Sequence, residues 1–196
     1  MRSHKKEDMS LGTVETGLLQ VFNMIVDRNR DERLSPYVAA EYASKATRVA
    51  NAIVNNRRQQ LSEDEITTFN WPDMLEGLNT LFTSVFERSN DTKLSKENRS
   101  RFAKKAARVA NAIVNARKQQ LVEAGAMNDN LTDFNWYTVQ KGLEEIYKGA
   151  IETATLEGQQ GSIASIYAEK AANLSNSLVG VRKQRQAENG FVSELR

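Results

Sequence analysis

The feature that most constrains this chain is a segment that occurs twice almost unchanged. Residues 45–61 read KATRVANAIVNNRRQQL and residues 105–121 read KAARVANAIVNARKQQL, with 14 of 17 positions identical. A more divergent third copy, KAANLSNSLVGVRKQRQ, occupies residues 170–186. Repeats of several tens of residues stack on one another and bury a shared core. We therefore expect three similar structural units.

Each unit contains two helical patterns, of which the repeated segment is the second. The first pattern has apolar residues at i, i+4, i+7, i+8 and i+11, which is the spacing of one buried helix face. In the first unit these residues are Val14, Leu18, Val21, Phe22 and Ile25. A glycine recurs beside this face, although glycine costs about 1 kcal/mol in a helix interior. The glycines are Gly17, Gly77 and Gly142, and they predict a close helix–helix contact.

Several signals predict where the helices begin and end. Asn70 and Asn135 precede the first helices of units two and three and can cap them. The second helix of unit one should start after Ser35. Each second helix ends in a basic pair, which suits the negative end of the helix dipole. The pairs are Arg57-Arg58, Arg117-Lys118 and Arg182-Lys183.

The predicted fold is all-α, with three helical hairpins in one cooperative domain. The repeat spacing is 60 residues and then 65, and the extra residues fall in 123–130, which has the composition of a loop. The predicted organisation is a flexible arm at 1–7, hairpins at 8–61, 62–121 and 122–189, and a tail at 190–196. The hairpins could form a short open solenoid or a closed six-helix bundle.

The second helices are more alike than the first helices, although both must pack. Between units one and two, only 6 of 25 positions match over 10–34 and 70–94. On a helical wheel, the repeated polar residues lie on the face opposite the predicted core. We call them the polar stripe: Arg48, Asn51, Asn55, Arg58, Arg108, Asn111, Asn115, Lys118, Asn176 and Lys183.

The polar stripe has three interpretations, and two of them differ in where its side chains lie. If the asparagines hold neighbouring hairpins together, the stripe is buried between helices. If it binds a ligand, the stripe is exposed, and its amides offer a donor and an acceptor to a peptide backbone or a nucleobase edge. Its arginines would then contact carboxylates or phosphates. A recent duplication without selection is the third interpretation.

Composition argues against catalysis. The chain has no cysteine and one histidine, His4, and it contains no nucleotide-binding or hydrolase motif. We therefore expect no enzyme, no metal and no cofactor. Charge is unevenly distributed, because the second-helix segments are basic and the first-helix segments acidic. The second-helix segments 35–61, 95–121 and 161–189 carry +3, +7 and +2.

These observations predict a non-catalytic helical-repeat recognition protein, such as an adaptor, an inhibitor or an assembly component. Its expected partner is a protein that binds the polar and basic face of the second helices. One alternative is a nucleic-acid-binding protein that uses the same helices. Another is a structural subunit of a homo-oligomer, which predicts exposed apolar residues on the outer hairpins. Neither a membrane-spanning run nor a secretory signal is evident, so we expect a cytoplasmic, intracellular location.

Overall fold

The computed structural model describes residues 9–127 and 133–195, and all regular structure within them is α-helical. The helices are α1 (Leu11–Asn29), α2 (Pro36–Ser62), α3 (Trp71–Ser89), α4 (Lys96–Met127), α5 (Trp136–Thr155) and α6 (Gly161–Leu195). They pair in chain order as three hairpins. The predicted all-α fold is confirmed, and the predicted arm at 1–7 lies outside the described residues.

The helices begin where the capping residues predict. The Asn70 side chain accepts a hydrogen bond from the Asp73 backbone N–H at 3.2 Å, at the start of α3. Asn135 accepts from the Tyr137 N–H at 3.1 Å before α5, and Ser35 caps α2. Each cap satisfies a backbone donor that has no partner inside its helix.

The six helices form two layers. The second helices α2, α4 and α6 pack side by side in one layer, and the first helices α1, α3 and α5 form the other. Each first helix packs on the second helix of its own hairpin. In the part of the chain that the structure describes, no helix of hairpin one contacts a helix of hairpin three. The stack is therefore open, like a short solenoid.

The recurring glycines do lie at close contacts between first helices. A Cβ atom added at Gly77 would lie 2.9 Å from Cε1 of Phe22, and one at Gly142 would lie 2.7 Å from Cε1 of Phe82. Each phenylalanine therefore packs into a notch that only glycine leaves open. No atom of the described residues lies within 4 Å of such a position at Gly17, because α3 is the one described first helix that α1 contacts.

Three details of the sequence interpretation need correction. Helix α4 continues to Met127, so the first part of the predicted loop at 123–130 is helical. Helix α6 continues to Leu195 through most of the predicted tail at 190–196. Val21, predicted to be buried, is 41% exposed, because α1 has a first-helix neighbour on one side only.

Candidate partner-binding site

The polar stripe lies on the outer surface of the second-helix layer. Nine of its ten side chains are exposed and Asn115 is half-buried. Its one hydrogen bond to another described side chain runs from Nη1 of Arg108 to Oγ of Ser44, at 3.3 Å. The interpretation that these asparagines hold the hairpins together is therefore wrong.

The packing of the middle unit explains why the stripe faces outward. Helix α4 contacts α2 on one side, α6 on the other and α3 beneath. Its alanines, among them Ala103, Ala106 and Ala110, are buried and let these neighbours approach closely. One side of α4 remains free, and the stripe lies there beside the equivalent residues of α2 and α6.

A cleft of about 400 Å³ opens in the same layer and spans all three units. The charged residues of its lining are mostly basic, so we call it the basic cleft. It is lined by Tyr37, Ala40, Glu41, Glu97, Ser100, Arg101, Lys104, Lys105, Ile166 and Lys170. Because α2, α4 and α6 all contribute, the cleft exists only when the hairpins are stacked.

Burial and the crowded positive charge of the cleft lower the pKa of two lysines. Burial lowers the pKa of Lys105, and the nearby Arg108, Lys104 and Arg48 lower it further against an opposing effect of Glu41. Burial also lowers the pKa of Lys170, where Lys104 and Arg108 add to the effect and Glu169 opposes it. A negatively charged group bound here would relieve this repulsion.

The cleft also has an exposed aromatic residue that sequence reasoning missed. Tyr37 is 60% exposed, and the guanidinium carbon of Arg101 lies 5.9 Å from the centre of its ring. Of the aromatic residues that recur in the second helices, Phe102 and Tyr167 are buried and Tyr42 is half-buried. Tyr37 follows the capping pair Ser35-Pro36 in the first turn of α2, outside the periodic pattern of the helix, so no regular spacing marked it.

The basic pair predicted at the end of each second helix lies inside the helix instead, because none of α2, α4 and α6 has a basic residue in its last turn. On α2 the two members of the pair have different roles. Arg58 is exposed, whereas Arg57 is 1% exposed. Nη1 of Arg57 donates to Oε1 of Glu15 at 2.9 Å and to the Thr67 carbonyl oxygen at 2.7 Å. Nε and Nη2 donate to both carboxylate oxygens of Glu123 in the next unit. Arg57 is therefore not the helix-terminal cation that the sequence predicted.

Aromatic residues complete this arrangement. Nε1 of Trp71 donates to Oε1 of Glu123 at 3.0 Å, and the Arg57 guanidinium carbon lies 4.9 Å from the centre of the Phe69 ring. Burial acts to lower the pKa of Arg57, but its hydrogen bonds with Glu123 and Glu15 outweigh this effect and raise the pKa. We call this set a junction cluster, because it joins unit one to unit two. Its members are Glu15, Arg57, Thr67, Phe69, Trp71 and Glu123.

The second junction repeats the arginine–glutamate pair, the indole hydrogen bond and the aromatic ring of the first, although Leu75 takes the place of Glu15. Nε of Arg117 donates to Oε1 of Glu188 at 2.6 Å, and Nε1 of Trp136 donates to Oε2 of Glu188 at 2.5 Å. The Phe134 ring lies beside Arg117, with 5.8 Å from the ring centre to the guanidinium carbon. The junction clusters and the side-by-side packing of second helices account for much of the identity between the second helices of units one and two. They do not account for the exposed polar stripe.

The repeats contain a signal that could have revealed the junction clusters. The first residue of the basic pair is arginine in all three units, at Arg57, Arg117 and Arg182, whereas the second changes from Arg58 to Lys118 and Lys183. A two-pronged contact with a carboxylate requires the planar guanidinium, which lysine cannot replace. The exposed position needs only a positive charge.

Comparison with known protein families, curated proteins and solved structures finds no match to this chain. None of the helices over the described ranges is both long and apolar enough to cross a membrane. Among the same residues, no three carboxylate or histidine side chains come together in a way that could hold a metal ion. The surface geometry is therefore the basis for a functional proposal.

Proposed function

We propose that this protein is a non-catalytic recognition module that binds an acidic protein surface with its second-helix layer. The observation that supports this most directly is the exposure of the polar stripe on three adjacent helices. All four stripe positions of unit one recur in unit two and two of them recur in unit three, although, except for Arg108, these side chains bond no other described side chain. A contact outside the molecule gives a reason for their recurrence.

The chemistry of the surface favours a protein over a phosphate backbone. An asparagine amide both donates and accepts hydrogen bonds, which matches a peptide group, whereas a phosphate only accepts. Arg48 and Arg108 supply donors for carboxylates. Glu41 and Glu97 also line the basic cleft, so a continuous run of phosphates would meet negative as well as positive side chains there.

One observation supports nucleic acid as a second candidate. Tyr37 is exposed at the basic cleft beside Arg101, and an aromatic ring next to an arginine is a common platform for a nucleobase. Binding of this kind would weaken steeply with salt, because counterions are released from the phosphates. Salt dependence therefore separates the two candidates.

The test is fluorescence-anisotropy titration with a labelled acidic peptide of alternating Glu and Gly, and with labelled single-stranded DNA, duplex DNA and RNA. Each would be measured at about 50 mM and about 200 mM salt. We expect the peptide to bind more tightly than any nucleic acid at the higher salt. Tighter binding of a nucleic acid with a steep salt slope would move that candidate to first place.

Matched variants locate the binding surface. Arg108→Ala should weaken peptide binding about tenfold, because a hydrogen bond to a charged group contributes about 1.5 kcal/mol. Lys148→Ala removes the same charge from an exposed position on α5, in the other layer, and should leave binding unchanged. Equal losses in both variants, or no binding of any probe, would contradict the proposed site.

A further inference from the structure

The outer side of α6 has the residue types of a junction, but no second helix of the described residues packs on it. Helices α2 and α4 each use one side to contact the second helix of the next unit. On α6 the equivalent side is exposed, and Val179 there is 49% exposed. We call it the outgoing face: Ala168, Ala172, Ser175, Val179 and Arg182. The buried equivalents are Ala43, Thr47, Ala50, Val54 and Arg57 on α2, and Ala103, Ala107, Ala110, Val114 and Arg117 on α4.

The opposite end of the stack has the complementary side. Helices α4 and α6 use one side to contact the preceding unit, and on α2 no second helix of the described residues packs on the equivalent side. We call it the incoming face: Lys45, Val49, Ala52, Gln59 and Glu63, all exposed or half-buried. On α4 the equivalents are Lys105, Val109, Ala112, Gln119 and Glu123, and all but the half-buried Lys105 are buried. Residue types match at all five positions.

The first-helix layer shows the same pattern. Phe22 and Phe82 each pack into the glycine notch of the next unit. The equivalent of these phenylalanines in unit three is Tyr147, which is half-buried. At the other end, no described residue fills the notch at Gly17. Glycine destabilises a helix interior by about 1 kcal/mol, so a notch that no described residue fills suggests an occupant from a second copy.

The charges at the two faces are also complementary. Arg182 is exposed and makes no hydrogen bond or ion pair with any described side chain. Glu63 is exposed and accepts one hydrogen bond, from Nε2 of Gln59 at 3.1 Å. At both interior junctions, the residues at these positions form the buried Arg–Glu pair.

We propose that the outgoing face of one copy of this protein binds the incoming face of a second copy. Arg182 then pairs with Glu63 of the other copy, Tyr147 packs against its Gly17, and α6 lies along its α2. The two surfaces differ, so the contact is heterologous, and repeating it produces a filament or a closed ring. The polar stripe would then continue from copy to copy.

The contact between copies should be weaker than an interior junction. At the positions of Phe69 and Trp71, unit one has Met9 and Leu11, so the aromatic part of the junction cluster is missing. The indole hydrogen bond to the glutamate is also lost. We therefore expect assembly that depends on concentration rather than a permanent oligomer.

Sedimentation-velocity analysis of the full chain from about 1 µM to about 500 µM covers the range of such affinities. We expect the average mass to rise from 22.0 kDa past twice that value without stopping at a dimer. A constant monomer mass, or a plateau at the dimer, would overturn the head-to-tail arrangement.

Charge reversal tests the pairing itself. Arg182→Glu and Glu63→Arg should each remain monomeric alone, because like charges then meet at the contact. An equimolar mixture of the two should assemble again, since each mixed contact joins opposite charges. Lys93→Glu, an exposed change in the middle unit, should assemble like the unchanged protein. Assembly of the single variants, or none in the mixture, would contradict the proposal.

Gly17→Ala provides an independent test in the other layer. Because Gly17 has open space around it, the substitution should keep the fold and raise the melting temperature slightly. In the assembly, however, the added methyl group would fill the notch that receives Tyr147 of the next copy. We expect assembly to weaken about tenfold or more. Unchanged assembly would show that the first-helix layer takes no part in it.

Discussion

Two adjacent arginines on α2 show how differently the repeated residues are used. Arg57 is buried between units and bonds two carboxylates, whereas Arg58 lies in the polar stripe and bonds no described side chain. Both positions stay basic in every unit. Recurrence in a repeat protein therefore reflects two requirements, the stacking of units and the surface that the stack presents, and burial tells them apart.

The largest expected effect comes from removing the buried member of this pair. Arg57→Met would leave Glu15 and Glu123 buried without their cation, and we expect a loss of about 3–5 kcal/mol in the free energy of unfolding. Arg58→Met should change it by no more than about 0.5 kcal/mol. Urea denaturation measures both. Similar losses in the two variants would show that the junction cluster does not stabilise the stack.

A smaller effect is expected from the glycine notches. Gly142→Ala would force a methyl group against the Phe82 ring, which is 2% exposed and has little room to move. Overpacking of this kind costs about 1–3 kcal/mol. Gly17→Ala in the dilute monomer should instead stabilise by up to about 1 kcal/mol. Thermal melts that shift in the same direction for both would contradict the proposed difference between interior and end.

The asparagines of the second helices allow a comparison of the same residue type. Asn56 is buried and donates to the Leu11 carbonyl oxygen at 3.1 Å, so Asn56→Ala should cost about 1–2 kcal/mol of stability. Asn111 is exposed, and Asn111→Ala should change stability by a few tenths of a kcal/mol while weakening peptide binding. A large loss of stability for Asn111→Ala would mean that its amide has a structural role.

The smallest effect concerns pH. Because burial and neighbouring cations lower the pKa of Lys105 and Lys170, both begin to lose charge at a lower pH than ordinary lysines do. Peptide affinity should fall as pH rises from about 7.5 to about 9.5, where unperturbed lysines remain charged. The variant Lys105→Met has no charge at this position at any pH, so its peptide affinity should depend less on pH. An affinity that is independent of pH would exclude these lysines from the site.

Much of the local structure could be predicted from the residues. Helix starts at Asn70 and Asn135, the paired helices and the close contact at Gly77 all followed from capping, periodicity and the presence of glycine inside a helix. The junction clusters could not be predicted in the same way. Glu123 lies in a segment with loop composition, and its partner Arg57 is 66 residues earlier, so neither residue indicates the other until the hairpins are stacked.

The candidate site also combines features that the sequence predicted with features that depend on the stacked helices. The wheel positions of Arg48, Asn51 and Asn55 predicted a surface opposite the core, because helix geometry alone places them there. The basic cleft depends on side chains from three helices, and Tyr37 belongs to it only because α2, α4 and α6 lie side by side. Spacing along one helix contains no information about such neighbours.

By itself, the sequence determined the helices, their pairing into three hairpins and the repeated polar face, since these depend on contacts within about one unit. Only the tertiary structure decided that the stack is open and that Arg57 and Arg117 are buried while Arg182 is exposed. It also decided that no described residue fills the notch at Gly17. The physical reason is that equivalent residues experience different surroundings according to their unit's place in the stack. An interior unit has neighbours on both sides, and an end unit has one.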